Sequence, residues 1–160
     1  MRQLSLRRGL TLVELMVGLA IAAILFMAAA PSFSEYMANS RLREGGNTLF
    51  AQTLFAQSEA IKRNTVVRLA VADGAIVVTD RRDPDNPVEL RREPLNGGVA
   101  VEAGMIDFGG EGRTVGFASA SLNLSLAGFS CSSQIRCPGL RVDGGGAVRL
   151  CGDHTSTECD

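Results

Sequence analysis

The chain has 160 residues, with 16 basic and 17 acidic side chains and a formal net charge of −1. That length supports one modest hydrophobic core once a 21-residue apolar run, Leu10 to Ala30, is set apart, and it leaves no room for a second. Three arginines, Arg2, Arg7 and Arg8, precede the run; without them 13 basic residues face 17 acidic ones, a net of −4, which excludes a body drawn to nucleic acid by its overall charge.

As a helix the apolar run would span about 30 Å, the thickness of a hydrocarbon core. A removable secretory signal would have a shorter apolar stretch and a small-residue cleavage site beyond it, whereas here Pro31-Ser32-Phe33-Ser34-Glu35-Tyr36 follows. The basic leader predicts a cytoplasmic N-terminus, with the remainder sent across the membrane. Glu14 stands almost at the start of the run. An acidic side chain costs about 2.5 to 3.5 kcal/mol at a bilayer centre, so Glu14 either reaches the headgroup water or has a task. Gly18, Ala22 and Ala23 would let another helix approach closely.

From Ser32 to about Asn64 the helical period continues, with Leu42, Leu49, Phe50, Thr53, Leu54, Gln57 and Ile61 on or near one stripe. Pro31 lacks an amide donor, and Gly45-Gly46 costs about 1 kcal/mol per glycine, so a bend or local melting is predicted at both. Beyond Asn64 the period becomes two. Val66 to Ala72 and Ala75 to Thr79 read as strands joined at Asp73-Gly74, and Asp80 to Pro87 reads as an exposed loop. Further strands are predicted at Val88 to Arg91, Val99 to Glu102, Met105 to Phe108, Thr114 to Phe117, Leu122 to Leu126, Leu140 to Val142 and Ala147 to Cys151. The fold class is α+β: a long N-terminal helix whose second half covers one face of a C-terminal antiparallel sheet domain.

Cys131, Cys137, Cys151 and Cys159 all fall in the last 30 residues, which in an exported domain predicts two disulfides. No paired C-x2-C spacing supports zinc, and no metal or other cofactor is expected. Three pairings are open; a turn at Asp143 to Gly146 favours Cys137 with Cys151 and Cys131 with Cys159. Enzyme chemistry finds little footing. His154 is the single histidine and lies in a polar tail; Asp80, Asp83 and Asp85 read as a solvated turn without the spacing of a calcium loop; the pairs Gly97-Gly98 and Gly109-Gly110 suit turns. Asn123-Leu124-Ser125 fits a glycosylation triplet, a pattern frequent by chance.

Gly9-Leu10-Thr11-Leu12-Val13-Glu14 followed by a uniform apolar helix resembles the class III signal of type IV pilins and type II secretion pseudopilins. The resemblance implies that prepilin peptidase cuts between Gly9 and Leu10 and methylates the new amine of Leu10, which stands where phenylalanine is usual. It also implies that Glu14 pairs with the Leu10 amine of a neighbouring subunit during assembly, and that Pro31 matches a helix-loosening proline. The segment from Ala56 to Leu69 resembles the helix-to-first-strand junction of the FimT/GspH family, and Gly139 to Cys151 resembles its last hairpin. The implied pilin-like layout is a cleaved basic leader at 1–9, a transmembrane assembly helix at 10–30, its periplasmic continuation at 31–64 and a β-rich domain at 65–160.

A minor pilin in the tip or initiation complex of a type IV pilus is the implied function, with a GspH-type pseudopilin as alternative. Implied partners are prepilin peptidase, other pilins or pseudopilins, the inner-membrane assembly platform and, before assembly, membrane lipid. The implied location is the bacterial inner membrane, crossed once, and then a filament. Some FimT-like pilins bind DNA for transformation through a Gly-Arg-x-Arg pattern in this hairpin. Here Gly146-Ala147-Val148-Arg149 lacks one of the arginines, leaving Arg136, Arg141 and Arg149 as candidates and solvated strand charges as the favoured reading.

Overall fold

A computed structural model describes residues 11–156 and 159. One helix, α1, runs Leu12–Arg63, and the chain divides into two compact units, Met1–Tyr36 and Met37–Asp160. In the first unit the described side chains, Thr11 to Tyr36 apart from Pro31, are all exposed, among them Phe26 at 77% and Met27 at 78%. This stretch is long and apolar enough to cross a membrane, with a mean hydropathy of 2.5 in its most apolar window.

Among the described residues the second unit combines the rest of α1 with eight strands: β1 Val67–Ala72, β2 Ala75–Asp80, β3 Val88–Pro94, β4 Val99–Val101, β5 Met105–Phe108, β6 Ala120–Leu126, β7 Gly139–Val142 and β8 Val148–Cys151. They form two antiparallel sheets rather than one, ordered β3-β2-β1-β5 and β4-β6-β7-β8. A single apolar cluster joins the helix to both, from Leu42, Leu49, Ala56 and Ala60 on α1 to Leu69, Val78 and Phe108 on one sheet and Leu122, Leu124 and Leu140 on the other. The β1–β2 hairpin turns at Asp73 and Gly74, whose φ angles of 52° and 69° fit a two-residue turn that follows the strand twist, with Ala72 opposite Ala75.

The helix departs from its predicted outline in two ways. It stays helical through Pro31 and through Gly45-Gly46, so neither place melts. The glycines serve close approach: a Cβ on Gly45 would stand 2.8 Å from Val99 Cγ1, and one on Gly46 would stand 3.1 Å from the Pro138 Cβ. The buried stripe is also rotated from the predicted one. Leu54 and Ile61 are 41% and 53% exposed, while Ala38, Ala56 and Ala60 are buried beside Leu42, Leu49 and Thr53. Small side chains bring the helix backbone close to the sheets, which size-blind periodicity overlooks.

The predicted strand at Thr114 to Phe117 is instead a 3-10 turn at Val115–Phe117. Gly116 and Phe117 have φ of 71° and 57°, in the left-handed region, which no strand can use. Thr114 alone keeps a bridge, to Phe108, and its buried hydroxyl donates to the Gly144 carbonyl at 3.2 Å. Asn64, with φ of 48°, ends α1 in the left-handed conformation, and Thr65 N–H returns to the Ala60 carbonyl at 3.2 Å.

Candidate assembly site

The helix begins with the sequence Thr11-Leu12-Val13-Glu14, and its side chains form a reciprocal cap. Glu14 N–H donates to Thr11 Oγ1 at 3.2 Å, and Thr11 N–H donates back to Glu14 Oε2 at 2.9 Å. The Thr11 hydroxyl donates to the same Oε2 at 2.9 Å. Two amides that a helix start leaves without helical partners are thereby satisfied, and the carboxylate lies where the helix dipole favours negative charge. Both bonds that the carboxylate accepts fall on Oε2, leaving Oε1 without a hydrogen bond among the described residues. Thr11 was not among the candidates read from the sequence, although the T-x-x-E spacing carries the signal. Gly9 and Leu10, the candidate cleavage and methylation positions, lie outside the described residues.

At the other end of the chain, Cys131 is bonded to Cys137 and Cys151 to Cys159. The expected nested pairing is not the one formed. Register explains why: Gly139 lies opposite Cys151, so Cys137 precedes the paired strand, and its carbonyl instead accepts the His154 amide at 2.7 Å. The sulfurs of Cys131 and Cys137 and a ring nitrogen of His154 lie within 4.8 Å of one another, but the cysteines are bonded to each other and offer no thiolate to a metal.

The three candidate arginines are only partly assembled. Arg141 and Arg149 face each other across β7 and β8 and line a cavity of about 210 Å³ with Ser119, Ser121 and Asp143; Arg136, between the first two cysteines, is not part of that lining, and its amide donates to Asn39 Oδ1 at 2.9 Å. Arg141 has much of its guanidinium engaged, donating to the Cys159 carbonyl at 3.1 Å, to Asn123 Oδ1 at 2.8 Å and to the Leu140 carbonyl at 3.1 Å. The Asn123 amide also donates to Glu102 at 2.9 Å, so the acceptor side chain of the glycosylation triplet is engaged at both ends.

Of the three acidic residues read as a solvated turn, Asp83 and Asp85 are exposed, whereas Asp80 is the last residue of β2 and departs from that reading. Asp80 is buried, accepts the Arg82 amide at 2.9 Å and lies 3.6 Å from Arg63 Nη1. Asp83 accepts from Asn86 Nδ2 at 3.1 Å and the Asp85 amide at 3.0 Å, bonds that hold its carboxyl below the ordinary value. Two polar devices escaped the sequence reading. Gln57 Nε2 donates to the carbonyls of Gly112 and Gly146, both at 2.7 Å, tying α1 to two loops. Buried Glu59 accepts from Arg63 Nε at 2.6 Å, and that bond holds its carboxyl below the ordinary value.

An apolar, membrane-length helix that begins in a capped carboxylate and continues into a unit of antiparallel sheets defines a pilin-like protein. The family profile described as "Type II transport protein GspH" matches residues 46–155, and the one described as "Prokaryotic N-terminal methylation motif" matches residues 4–30. The chain belongs to the GspH family. Its fold is similar to that of the type IV minor pilin FimU of Pseudomonas aeruginosa (strain PAO1), solved in two crystal forms. The P21 form has a TM-score of 0.59 at 13% identity over 72% of this chain and 91% of that one; the P65 form has 0.56 at 13% over 68% and 90%. Sequence comparison with curated proteins finds no match.

Proposed function

We propose that this chain is a minor pilin that enters the tip or initiation complex of a type IV pilus after cleavage between Gly9 and Leu10. The observation that carries the proposal is the methylation-motif match over residues 4–30, which contains the Thr11–Glu14 cap. Both capping residues lie beyond Gly9, so cleavage leaves the cap intact. Glu14 then has two uses: Oε2 secures the helix start, and Oε1 meets the new positive amine of Leu10 on a neighbouring subunit. In a low-dielectric surrounding each charge is costly alone, so the pair favours incorporation over remaining in lipid. The leader stays cytoplasmic and residues 65–160 lie on the periplasmic side, with the assembly platform and other pilins as partners.

Replacing Gly9 with a bulky residue is expected to leave a precursor heavier by the nine-residue leader; a normally processed chain refutes the cleavage assignment. Glu14→Ala should be inserted and cleaved yet incorporated poorly, and normal incorporation refutes its assembly role. The family description also supports a second reading, the equivalent pseudopilin of a type II secretion system. Gene deletion separates the two: loss of piliation supports the first, and loss of protein secretion with intact pili supports the second.

A further inference from the structure

Phe117 is 66% exposed, the most exposed large apolar side chain of the second unit among the described residues, and Val115 beside it is 49% exposed. Their loop is held firmly. Gln57 bonds the Gly112 carbonyl at 2.7 Å, Thr114 bonds the Gly144 carbonyl at 3.2 Å, and Phe117 N–H bonds the Thr114 carbonyl at 3.1 Å. Gly144 lies so near the Phe117 carbonyl that a Cβ has no space there. A non-glycine residue with φ of 57° is thus fixed by its surroundings, with its ring presented to solvent. The Arg113 guanidinium stands 5.0 Å from the ring centroid; Glu111 takes its Nη2, leaving Nη1 and Nε to offer elsewhere.

The same unit carries a receptor of matching chemistry. A cavity of about 230 Å³ between α1 and the β3–β4 connection is lined by Pro94, Leu95 and Val99 together with Glu44, Thr48 and Glu93. A cavity of about 150 Å³ is enough to hold benzene. Neither Glu44 nor Glu93 forms an ion pair among the described residues, although Arg41 also lines the cavity and bonds the Gly97 carbonyl at 3.4 Å. Along α1, Gly45 at the cavity and Gln57 at the Phe117 loop are separated by about 18 Å of rise.

We propose that Phe117 and Arg113 of one copy seat in the Glu44–Glu93 cavity of a second copy. The ring enters the apolar lining and the free guanidinium donors meet the Glu93 carboxylate. Knob and cavity are different surfaces, so a copy seated by its knob still has its own cavity to offer, and the contact can be repeated from copy to copy. This rests on the filament reading above and adds a specific contact between globular units.

The test places p-benzoylphenylalanine at position 117 of the full-length chain in bacterial inner membranes, with illumination, and reads the adduct by mass spectrometry. The expected product is a dimer joined to the Glu93–Val99 segment of the second copy. Arg113→Glu should reduce it about tenfold, and mixing that chain with a Glu93→Arg chain should restore it. No dimer, attachment elsewhere on the second copy, or attachment to a different pilin or to lipid overturns the proposal. Leader cleavage and filament entry are scored in the same cells: if both are normal without the adduct, this contact alone falls, whereas an uncut chain counts against the filament reading.

Discussion

The two parts of α1 solve opposite problems with opposite side chains. From Leu12 to Tyr36 it exposes large residues, Leu19 at 64% and Ile24 at 67% among them, while from Met37 to Arg63 much of its buried surface is small: Ala38, Ala56 and Ala60, with glycines at 45 and 46. Large apolar groups suit a surface whose partners, lipid or other helices, can adjust around them. Small groups suit a surface already committed to rigid sheets, where closeness of approach governs packing. In one continuous helix, exposure separates the surface reserved for other molecules from the surface spent on this fold.

The sharpest way to break that contrast is to truncate a large side chain in each part. Leu49→Ala, at a fully buried position, is expected to cost about 2 to 5 kcal/mol in thermal or denaturant unfolding of the globular unit, whereas Leu19→Ala should leave that transition unchanged. Enlargement runs the other way. Gly45→Val meets Val99 and should destabilise the unit by about 1 to 3 kcal/mol, while Gly18→Val, with nothing within 4 Å, should not register in the same melt.

A smaller effect comes from the polar end of the buried part. Glu59 has its carboxyl held below the ordinary value of 4.5 by Arg63, so its contribution is fully present above that value and is lost as pH falls through the lowered one. Glu59→Gln should therefore flatten the acid limb of the stability profile, and an unchanged limb would remove Glu59 from the account. The least effect is expected from duplex DNA: with Arg141 largely engaged and Arg136 outside the lining that Arg141 shares with Arg149, a mobility shift at low salt should be absent, and a salt-sensitive shift would restore the DNA reading.

Much of this organisation is legible in the sequence because hydrophobic period and turn chemistry are local. The helix, the Asp73-Gly74 hairpin and most strand positions follow from neighbours within a few residues. What was missed depends on distant ones. The Gly45-Gly46 pair looks like a weakness until Val99 and Pro138 are seen against it. Thr114 to Phe117 alternates like a strand, yet the loop adopts a left-handed backbone against Gly144. The tie of Glu14 to Thr11 is the local exception, a capping pair whose residues are also those of the leader motif. Arg141 reads as a surface charge until the strand register and the chain's tail surround it.

The cysteine pairing bears on how the protein matures. Its bridges link residues six and eight positions apart, so each ring can close within a short stretch of chain. Contacts over about ten residues form in roughly 10 to 100 ns, far faster than oxidation itself. Neither bond needs the β7–β8 hairpin to exist first, and neither threads through the other. The two bonds can therefore form in either order, each ring closing within its own short segment.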